Sequence, residues 1–249
     1  MSDNFITCNL QGRLGNQIFI ISATIGTAIK YGKEFKIPRI SKYPHFNKTY
    51  FNHLPELTNP YTSTYIESTH AYQEIPNIDG LCLEGYFQTE KYFSHCRLEI
   101  LKAFSHLLSN ETKSDVAIHV RRGDYIDQQK NFPLCPMEYY CKAIMYFIYK
   151  EQVNFTVFSD DIQWCKENIN QSNFPLGNFE YSEGRDEMSD LKYMSQHEHF
   201  IIANSSYSWW GAWLSKNENK TVIAPNIWFG TNLAHLDTKD LIPETWMKM

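Results

Sequence analysis

Three segments of the sequence combine arginine, carboxylate and small hydroxyl side chains in patterns that suit nucleotide chemistry. They are HVRRGDY at 119–125, FSDD at 158–161 and NSSYSWWGAW at 204–213. A guanidinium group donates paired hydrogen bonds to phosphate oxygens, and the start of a helix offers N–H groups to an anion. Carboxylates accept hydrogen bonds from a base or a ribose. Together the segments predict a binding site for a phosphorylated ligand.

The HVRRGDY segment closes a predicted strand over Asp115–Val120. Strand alternation places His119 and Arg121 on one face and Arg122 on the other. Arg121 at a strand exit suits a pyrophosphate, because its fork can donate two parallel hydrogen bonds. The alternative is a structural ion pair in which Arg121 or Arg122 bridges Asp124.

Two adjacent carboxylates close the next predicted strand, Asn154–Ser159. Asp161 falls at the start of the following helix, where a carboxylate caps free N–H groups. Asp160 is then left for a ligand. A metal ion usually requires further carboxylates that converge from elsewhere in the chain, and the sequence shows no second cluster. We therefore predict no metal ion.

The third segment places Ser205 and Ser206 at the start of a predicted helix over Ser206–Lys216. Backbone N–H groups, hydroxyls and the helix dipole favour a phosphate at such a position. The alternative is an ordinary helix cap, followed by Trp210 and Trp213 as core residues. Both can hold, because only the serines need to face a ligand.

Apolar runs alternate with helical patterns, which predicts α/β architecture with parallel sheets covered on both faces. In the first part of the chain we predict strands at Phe5–Leu10, Phe35–Ile40 and Leu81–Phe87, helices at Asn16–Tyr31 and Glu90–Leu108, and acceptor-facing loops or short strands over Ser41–Gly80. In the second part we predict strands at Phe179–Ser182, Phe200–Ala203 and Thr221–Ala224, and helices at Pro136–Lys150, Asp161–Asn168 and Asp186–Gln196. The polar stretch Ser109–Ser114 predicts a boundary between a domain over 1–110 and one over 111–249.

Charge and composition exclude several classes of protein. The net charge is −5 at pH 7, whereas a nucleic-acid-binding domain is usually basic. No stretch approaches ~20 apolar residues, so we predict no transmembrane segment. The start of the chain lacks the pattern of a signal peptide, and the 6 cysteines are scattered without a CxxC pair. We expect a cytoplasmic protein with free thiols, for which peripheral membrane association stays open.

Two further motifs, GRLGNQ at 12–17 and LEGYFQTEKYF at 83–93, complete a set in a fixed order. This set resembles the alpha-1,2-fucosyltransferases, glycosyltransferase family 11, over nearly the whole chain, and more distantly the protein O-fucosyltransferases. The resemblance implies a GT-B fold, in which two Rossmann-like domains with parallel sheets face each other across a cleft. The N-terminal domain would lie on the acceptor side, and the C-terminal domain would bind the donor. The compact chain resembles a bacterial or viral enzyme.

The resemblance also implies the reaction. The donor would be GDP-beta-L-fucose, used without a cofactor and with inversion at the anomeric carbon. The motifs do not identify the acceptor, but the family implies a galactose-terminated glycan and an alpha-1,2 linkage. Alternatives are a fucosyltransferase of another linkage, a transferase that uses GDP-mannose, and a non-catalytic protein that binds a glycan or a GDP-sugar.

Individual roles follow from the same resemblance. Asn16 would contact the sugar or a phosphate, Asp160 would accept hydrogen bonds from guanine, and His119 would add a donor or orient Arg121. Without a metal, Arg121 and the serine pair would stabilise the charge that develops on the leaving β-phosphate. The sequence does not identify the general base. Asp124 and Glu84 are candidates, and a mechanism without a dedicated base stays open.

Overall fold

The protein divides into two compact units, each built on a parallel sheet. The computed structural model describes residues 4–40, 48–149 and 152–249. One unit comprises the described residues up to Ser105 together with Leu236–Pro243, and the other comprises His106–His235 and Glu244–Met249. The predicted α/β class with parallel sheets is thus confirmed. The functional roles of the predicted domains, 1–110 and 111–249, stay predictions.

The N-terminal unit has a sheet of 4 strands in the order β2-β1-β4-β3, and all its pairings are parallel. Its strands are β1 (Phe5–Cys8), β2 (Glu34–Phe35), β3 (Ser63–Ile66) and β4 (Leu81–Glu84), and its helices are α1 (Leu14–Lys30) and α2 (Arg97–Ala103). Because the strands run in one direction, the segments that follow β1, β3 and β4 lie at the same edge.

Helix α1 is buried around most of its circumference and not along one face alone. Of its 17 residues, 14 are buried. Ser22 is fully buried, whereas Ile29, near the end of the helix, is 38% exposed. Gly26 permits close packing, since a Cβ there would lie 2.2 Å from the carbonyl oxygen of Tyr92. The helix therefore forms the centre of this unit's core.

Four predicted elements of the N-terminal unit are shorter in the structure. The first strand ends at Cys8 and not at Leu10. The second strand ends at Phe35 and not at Ile40, because Ile37 bonds instead to the backbone of Pro55 and Leu57 and Pro38 has no N–H for a ladder. The third predicted strand, Leu81–Phe87, ends at Glu84, since the chain bends at Phe87, which has φ 52. The helix predicted over Glu90–Leu108 is split into short 3-10 turns and α2, as its first turns pack tightly on α1. Of the predicted loops at 41–80, residues 41–47 lie outside the described residues.

The C-terminal unit has a sheet of 6 parallel strands in the order β10-β9-β8-β5-β6-β7. Its strands are β5 (Lys113–Val120), β6 (Val153–Ser159), β7 (Gly177–Tyr181), β8 (His197–Ile201), β9 (Val222–Ala224) and β10 (Met247–Lys248), and its helices are α3 (Met137–Ile148), α4 (Ile162–Asn168), α5 (Glu187–Met194) and α6 (Ser206–Leu214). All but β10 were predicted within a few residues; the predicted end of α3, Lys150, lies outside the described residues. Strand β5 lies between β8 and β6, so the loops after these three strands are neighbours.

Helix α6 anchors the C-terminal unit through its tryptophans. Trp210 is fully buried and Trp213 is 3% exposed, so the predicted core role of both is confirmed. Trp209 stacks on Trp213 with ring centroids 6.2 Å apart and lies 5.3 Å from Trp246. The packing of these tryptophan rings holds the start of α6 in place.

Two predictions about the whole chain can be compared directly. All 6 cysteines, which lie within the described ranges, are free thiols. Among the helices that the structure describes, none has the length and apolar character needed to cross a membrane.

Candidate functional site

The ends of β5 and β6 place Arg121 between two carboxylates. Nη1 of Arg121 lies 2.9 Å from Oδ2 of Asp160, and Nη2 donates to Oδ1 of Asp124. The other oxygen of Asp160 accepts the backbone N–H of Arg122 at 2.9 Å. Gly123 allows this approach, since a Cβ there would lie 2.3 Å from Oδ2 of Asp160. A guanidinium carries more N–H groups than these two ion pairs use, so Arg121 is held in place and can still donate to a ligand.

Arg122 points to different partners, as strand alternation predicted. Its Nε lies 2.9 Å from Oδ2 of Asp161, and its guanidinium lies 4.2 Å from the ring centre of Trp164. Asp161 caps α4, because its Oδ1 accepts the N–H of Trp164 at 3.2 Å. Arg122 therefore has a structural setting. The Arg–Asp ion pair that the sequence left open is also present, between Arg121 and Asp124.

His119 is a buried, neutral imidazole. It is 5% exposed, and burial, together with the charge of Arg121, lowers the pKa of His119 to about 3. Among the residues that the structure describes, its buried Nδ1 has no hydrogen-bond partner. The ring lies 5.6 Å from that of Tyr207, which belongs to the first turn of α6. A neutral ring carries no charge to a phosphate, so His119 can contribute a hydrogen bond or help to orient Arg121.

The two serines sit at the N-terminus of α6, as predicted. Ser205 is the capping residue, with extended backbone (φ −137, ψ 126), and it is 8% exposed. Ser206 is the first helical residue and is partly exposed. The hydroxyl of Ser208 turns back to donate to the carbonyl oxygen of Ser205 at 3.3 Å. The helix start thus combines its dipole with hydroxyls at the carboxyl edge of the sheet.

Asn204 connects three loops to this helix start, a role that the sequence did not reveal. Its Nδ2 donates to the carbonyl oxygens of Pro133 at 2.9 Å and Trp228 at 3.0 Å. Its Oδ1 accepts from Sγ of Cys135 at 3.4 Å, and its own carbonyl accepts from Tyr125 Oη at 3.2 Å. A buried asparagine between a strand and a capping serine was the available signal. Asn204 links the HVRRGDY and NSSYSWW segments in one hydrogen-bonded cluster.

The opening motif forms a tight loop before α1 in the N-terminal unit. Gly12 has φ +70, and a Cβ there would lie 2.3 Å from Nδ2 of Asn16. Its carbonyl oxygen accepts from Gln17 Nε2 at 2.8 Å. Oδ1 of Asn16 accepts from Gln88 Nε2 at 2.8 Å. Asn16 is therefore part of a polar group at the carboxyl edge of the N-terminal sheet, whereas the other residues predicted to bind the donor belong to the C-terminal unit.

The two candidate bases have different settings. Asp124 is ion-paired with Arg121. Oε2 of Glu84, at the end of β4, accepts from Asn9 Nδ2 at 3.1 Å. Within the described ranges, no group of three or more His, Cys, Asp or Glu residues could hold a metal ion. Metal independence stays a prediction.

Comparison with known proteins identifies the family. The sequence profile described as Glycosyl transferase family 11 matches residues 2–247. This chain belongs to that family. The resemblance inferred from the motifs is confirmed, and the protein is a glycosyltransferase.

Relatives of this family 11 member include bacterial and mammalian enzymes. An alpha-1,2-colitosyltransferase of Escherichia coli is 28% identical over 99% of this chain and 99% of its own length. The O-antigen biosynthesis glycosyltransferase WbnK of Escherichia coli is 35% identical over 69% of this chain and 61% of its own. Galactoside alpha-(1,2)-fucosyltransferase 2 of Sus scrofa is 27% identical over 85% of this chain and 70% of its own.

Two solved structures of low sequence identity match most of the chain. POFUT1 in complex with GDP has a TM-score of 0.49 and 11% identity, covering 90% of this chain and 99% of that one. The NodZ alpha-1,6-fucosyltransferase soaked with GDP-fucose has a TM-score of 0.45 and 12% identity, covering 85% and 92%.

Proposed function

We propose that this family 11 enzyme transfers L-fucose from GDP-beta-L-fucose to a galactose-terminated glycan, with inversion and an alpha-1,2 linkage. The observation that carries the proposal is the placement of Arg121, held by Asp160 and Asp124, beside the loop that leads to the serines of α6. A guanidinium and a helix N-terminus at one sheet edge suit a diphosphate. The activities named for the relatives support a galactoside acceptor and an alpha-1,2 linkage.

In the proposed reaction, an acceptor hydroxyl attacks the anomeric carbon opposite the leaving group. A carbon–oxygen bond forms, the bond to the β-phosphate oxygen breaks, and GDP departs with the electron pair. Arg121 and the serine pair donate hydrogen bonds to the phosphate, which strengthen as negative charge develops there. His119 adds a hydrogen-bond donor or orients Arg121. Asn16 contacts the sugar or a phosphate, and Asp160 as a guanine contact stays a prediction.

The carboxylates around Arg121 shape how a phosphate can bind. Arg121 and Arg122 face three carboxylates, those of Asp124, Asp160 and Asp161. An incoming diphosphate would be repelled by this excess unless a carboxylate moves away or the α6 N-terminus compensates. Asp124 is the candidate to move, because it lies on the short 3-10 turn after β5. A released Asp124 could then accept the acceptor's proton, and Glu84 stays the other candidate.

The relative named alpha-1,2-colitosyltransferase, aligned over 99% of both chains, supports a second candidate in which the transferred sugar is colitose. Another linkage, GDP-mannose as donor and a non-catalytic binding role are further alternatives. The cytoplasmic location also stays a prediction.

The deciding experiment offers several GDP-sugars, among them GDP-fucose and GDP-mannose, with a panel of galactosides. We expect a product one fucose heavier than the acceptor, with the new bond at O2 of galactose by NMR. Turnover of another GDP-sugar alone would move the assignment to that donor. Tight GDP binding without turnover of any donor would instead support a binding protein.

A further inference from the structure

We propose that Glu67 is a positioning residue of the transferase site, which fixes the bend at Gly85–Phe87 and, through Gln88, sets the amide of Asn16. The inference rests on the proposed function only in taking Asn16 as a donor contact. Glu67 belongs to none of the motifs singled out in the sequence. It follows β3, at the carboxyl edge of the N-terminal sheet.

The carboxylate of Glu67 binds the bend through both of its oxygens. Oε2 accepts the N–H of Tyr86 at 2.6 Å, and Oε1 accepts the N–H of Phe87 at 2.9 Å. Its own backbone N–H donates to the carbonyl oxygen of Glu84 at 2.8 Å, which continues the pairing of β3 with β4. Two adjacent N–H groups need two acceptors, which a carboxylate supplies and an amide does not.

The bend has a conformation that needs such support. Phe87 has φ 52, a region costly for a bulky residue. Its ring is fully buried and packs edge-on against Tyr92 with centroids 5.4 Å apart. At Gly85, a Cβ would lie 2.4 Å from Cβ of Glu67 and 2.6 Å from its Oε2. The position of Glu67 therefore requires a glycine at position 85.

The bend places Gln88 beside the side-chain amide of Asn16. Gln88 is 7% exposed, its Nε2 donates to Oδ1 of Asn16 at 2.8 Å, and it also hydrogen-bonds the side chain of His70. Because the oxygen of Asn16 faces Gln88, this bond decides which way the Asn16 NH₂ group points. Burial raises the pKa of Glu67 above its usual range, whereas the two N–H groups oppose that rise. A chain of direct contacts thus runs from Glu67 to Asn16.

The first test needs no substrate. In Glu67→Gln, the side-chain amide NMR resonances of Asn16 and Gln88 should shift, and amide exchange at Tyr86 and Phe87 should accelerate. The matched control is Glu99→Gln, an exposed glutamate on α2 of the same unit, which should leave these signals unchanged. Unmoved Asn16 and Gln88 resonances in folded Glu67→Gln would overturn the inference, whether or not the proposed function holds.

The second test measures coupling in the transfer reaction. Glu67→Gln should lower kcat by ~10- to 100-fold while the Kd for GDP stays close to wild type, since the change acts through one positioned amide. In an Asn16→Ala background, the same substitution should cost little more. If Glu67→Gln does not fold, Gln88→Ala carries the test with the same expectations. Losses that add fully to those of Asn16→Ala would reject the positioning role, whereas a wild type inactive with every GDP-sugar would reject the proposed function alone.

Discussion

Arg121 is fixed by two carboxylates, so the shape of its side chain matters as well as its charge. Lysine keeps the charge but offers no planar fork, and it cannot bind Asp160 and Asp124 while donating to a phosphate. We expect Arg121→Lys to lower kcat by ~10²–10³-fold, as for loss of a preorganised donor to a developing charge. Steady-state kinetics on the folded variant measure this, with KM changing less than kcat.

Arg122 provides the internal control for Arg121. It bonds Asp161 and stacks on Trp164, so Arg122→Ala should lower the melting temperature while kcat per folded molecule stays near wild type. A folded Arg121→Lys with near-normal kcat would contradict the phosphate role. A loss of kcat in Arg122→Ala equal to that in Arg121→Lys would show that the segment acts as one structural unit.

Asn204 tests whether the helix start depends on its hydrogen-bonded cluster. In Asn204→Asp, a carboxylate oxygen would face the carbonyl oxygens of Pro133 and Trp228 in place of the donating NH₂. We expect a loss of ~3 kcal/mol or more of unfolding free energy, hence a melting temperature lower by several degrees. Asn226→Asp, at an exposed position, is the matched control. Equal melting temperatures for the two variants would count against the cluster.

At the scale of elements, the sequence predicted the C-terminal unit well and the N-terminal unit less well. Apolar runs at the ends of β5 and β6, and Phe200–Ala203 at the end of β8, lead directly into polar motifs, so local pattern locates both the sheet edge and the site. The early end of β4 is set instead by contacts of Glu67 with Tyr86 and Phe87, 19 and 20 residues away. Periodicity carries no signal for such long-range pairs. For the same reason the sequence could propose Asn16 as a site residue but not the residues that orient it.

Helix packing in the two units yields a paired prediction at glycines. A Cβ at Gly26 of α1 would lie 2.2 Å from the carbonyl oxygen of Tyr92, and one at Gly211 of α6 would lie 2.3 Å from Sδ of Met194. Moving the backbone at Tyr92 would cost much free energy, whereas the end of the Met194 side chain can change rotamer at little cost. We expect Gly26→Ala to cost ~2–3 kcal/mol by overpacking. Gly211→Ala should cost less, because the methionine can move aside, whereas the gain in helix propensity, ~1 kcal/mol, applies at both positions.

Chemical denaturation of both variants measures the difference. A Gly26→Ala protein as stable as Gly211→Ala would show that the segment around Tyr92 can move away from α1. Such mobility would also weaken the support that Phe87 receives from Tyr92.

At the scale of the whole molecule, the family profile spans both units. Each unit presents polar residues at the carboxyl edge of its own parallel sheet, Asn16 and Glu84 in one and Arg121 with the serines in the other. The chain also returns to the N-terminal unit near its end, because Leu236–Pro243 belongs to that unit. There Asp240 pairs with Lys91 and accepts the N–H of Tyr72 at 2.9 Å. The chain after α6 thus contributes to both units.

The last prediction concerns how the molecule holds a diphosphate. In the proposed site its charge is met by Arg121, by the N-terminus of α6 and by hydroxyls, and not by a metal. GDP should therefore raise the melting temperature, by an amount that corresponds to ~2.7 kcal/mol at a hundredfold excess over Kd. Guanosine and free fucose, which lack the diphosphate, should raise it much less. EDTA should change neither the GDP-induced shift nor the rate of transfer. Arg121→Lys should reduce the shift, with Arg122→Ala as the control at lower overall stability. Activity that EDTA removes and Mn²⁺ restores would mean that a cation, and not Arg121 with the helix start, neutralises the leaving phosphate.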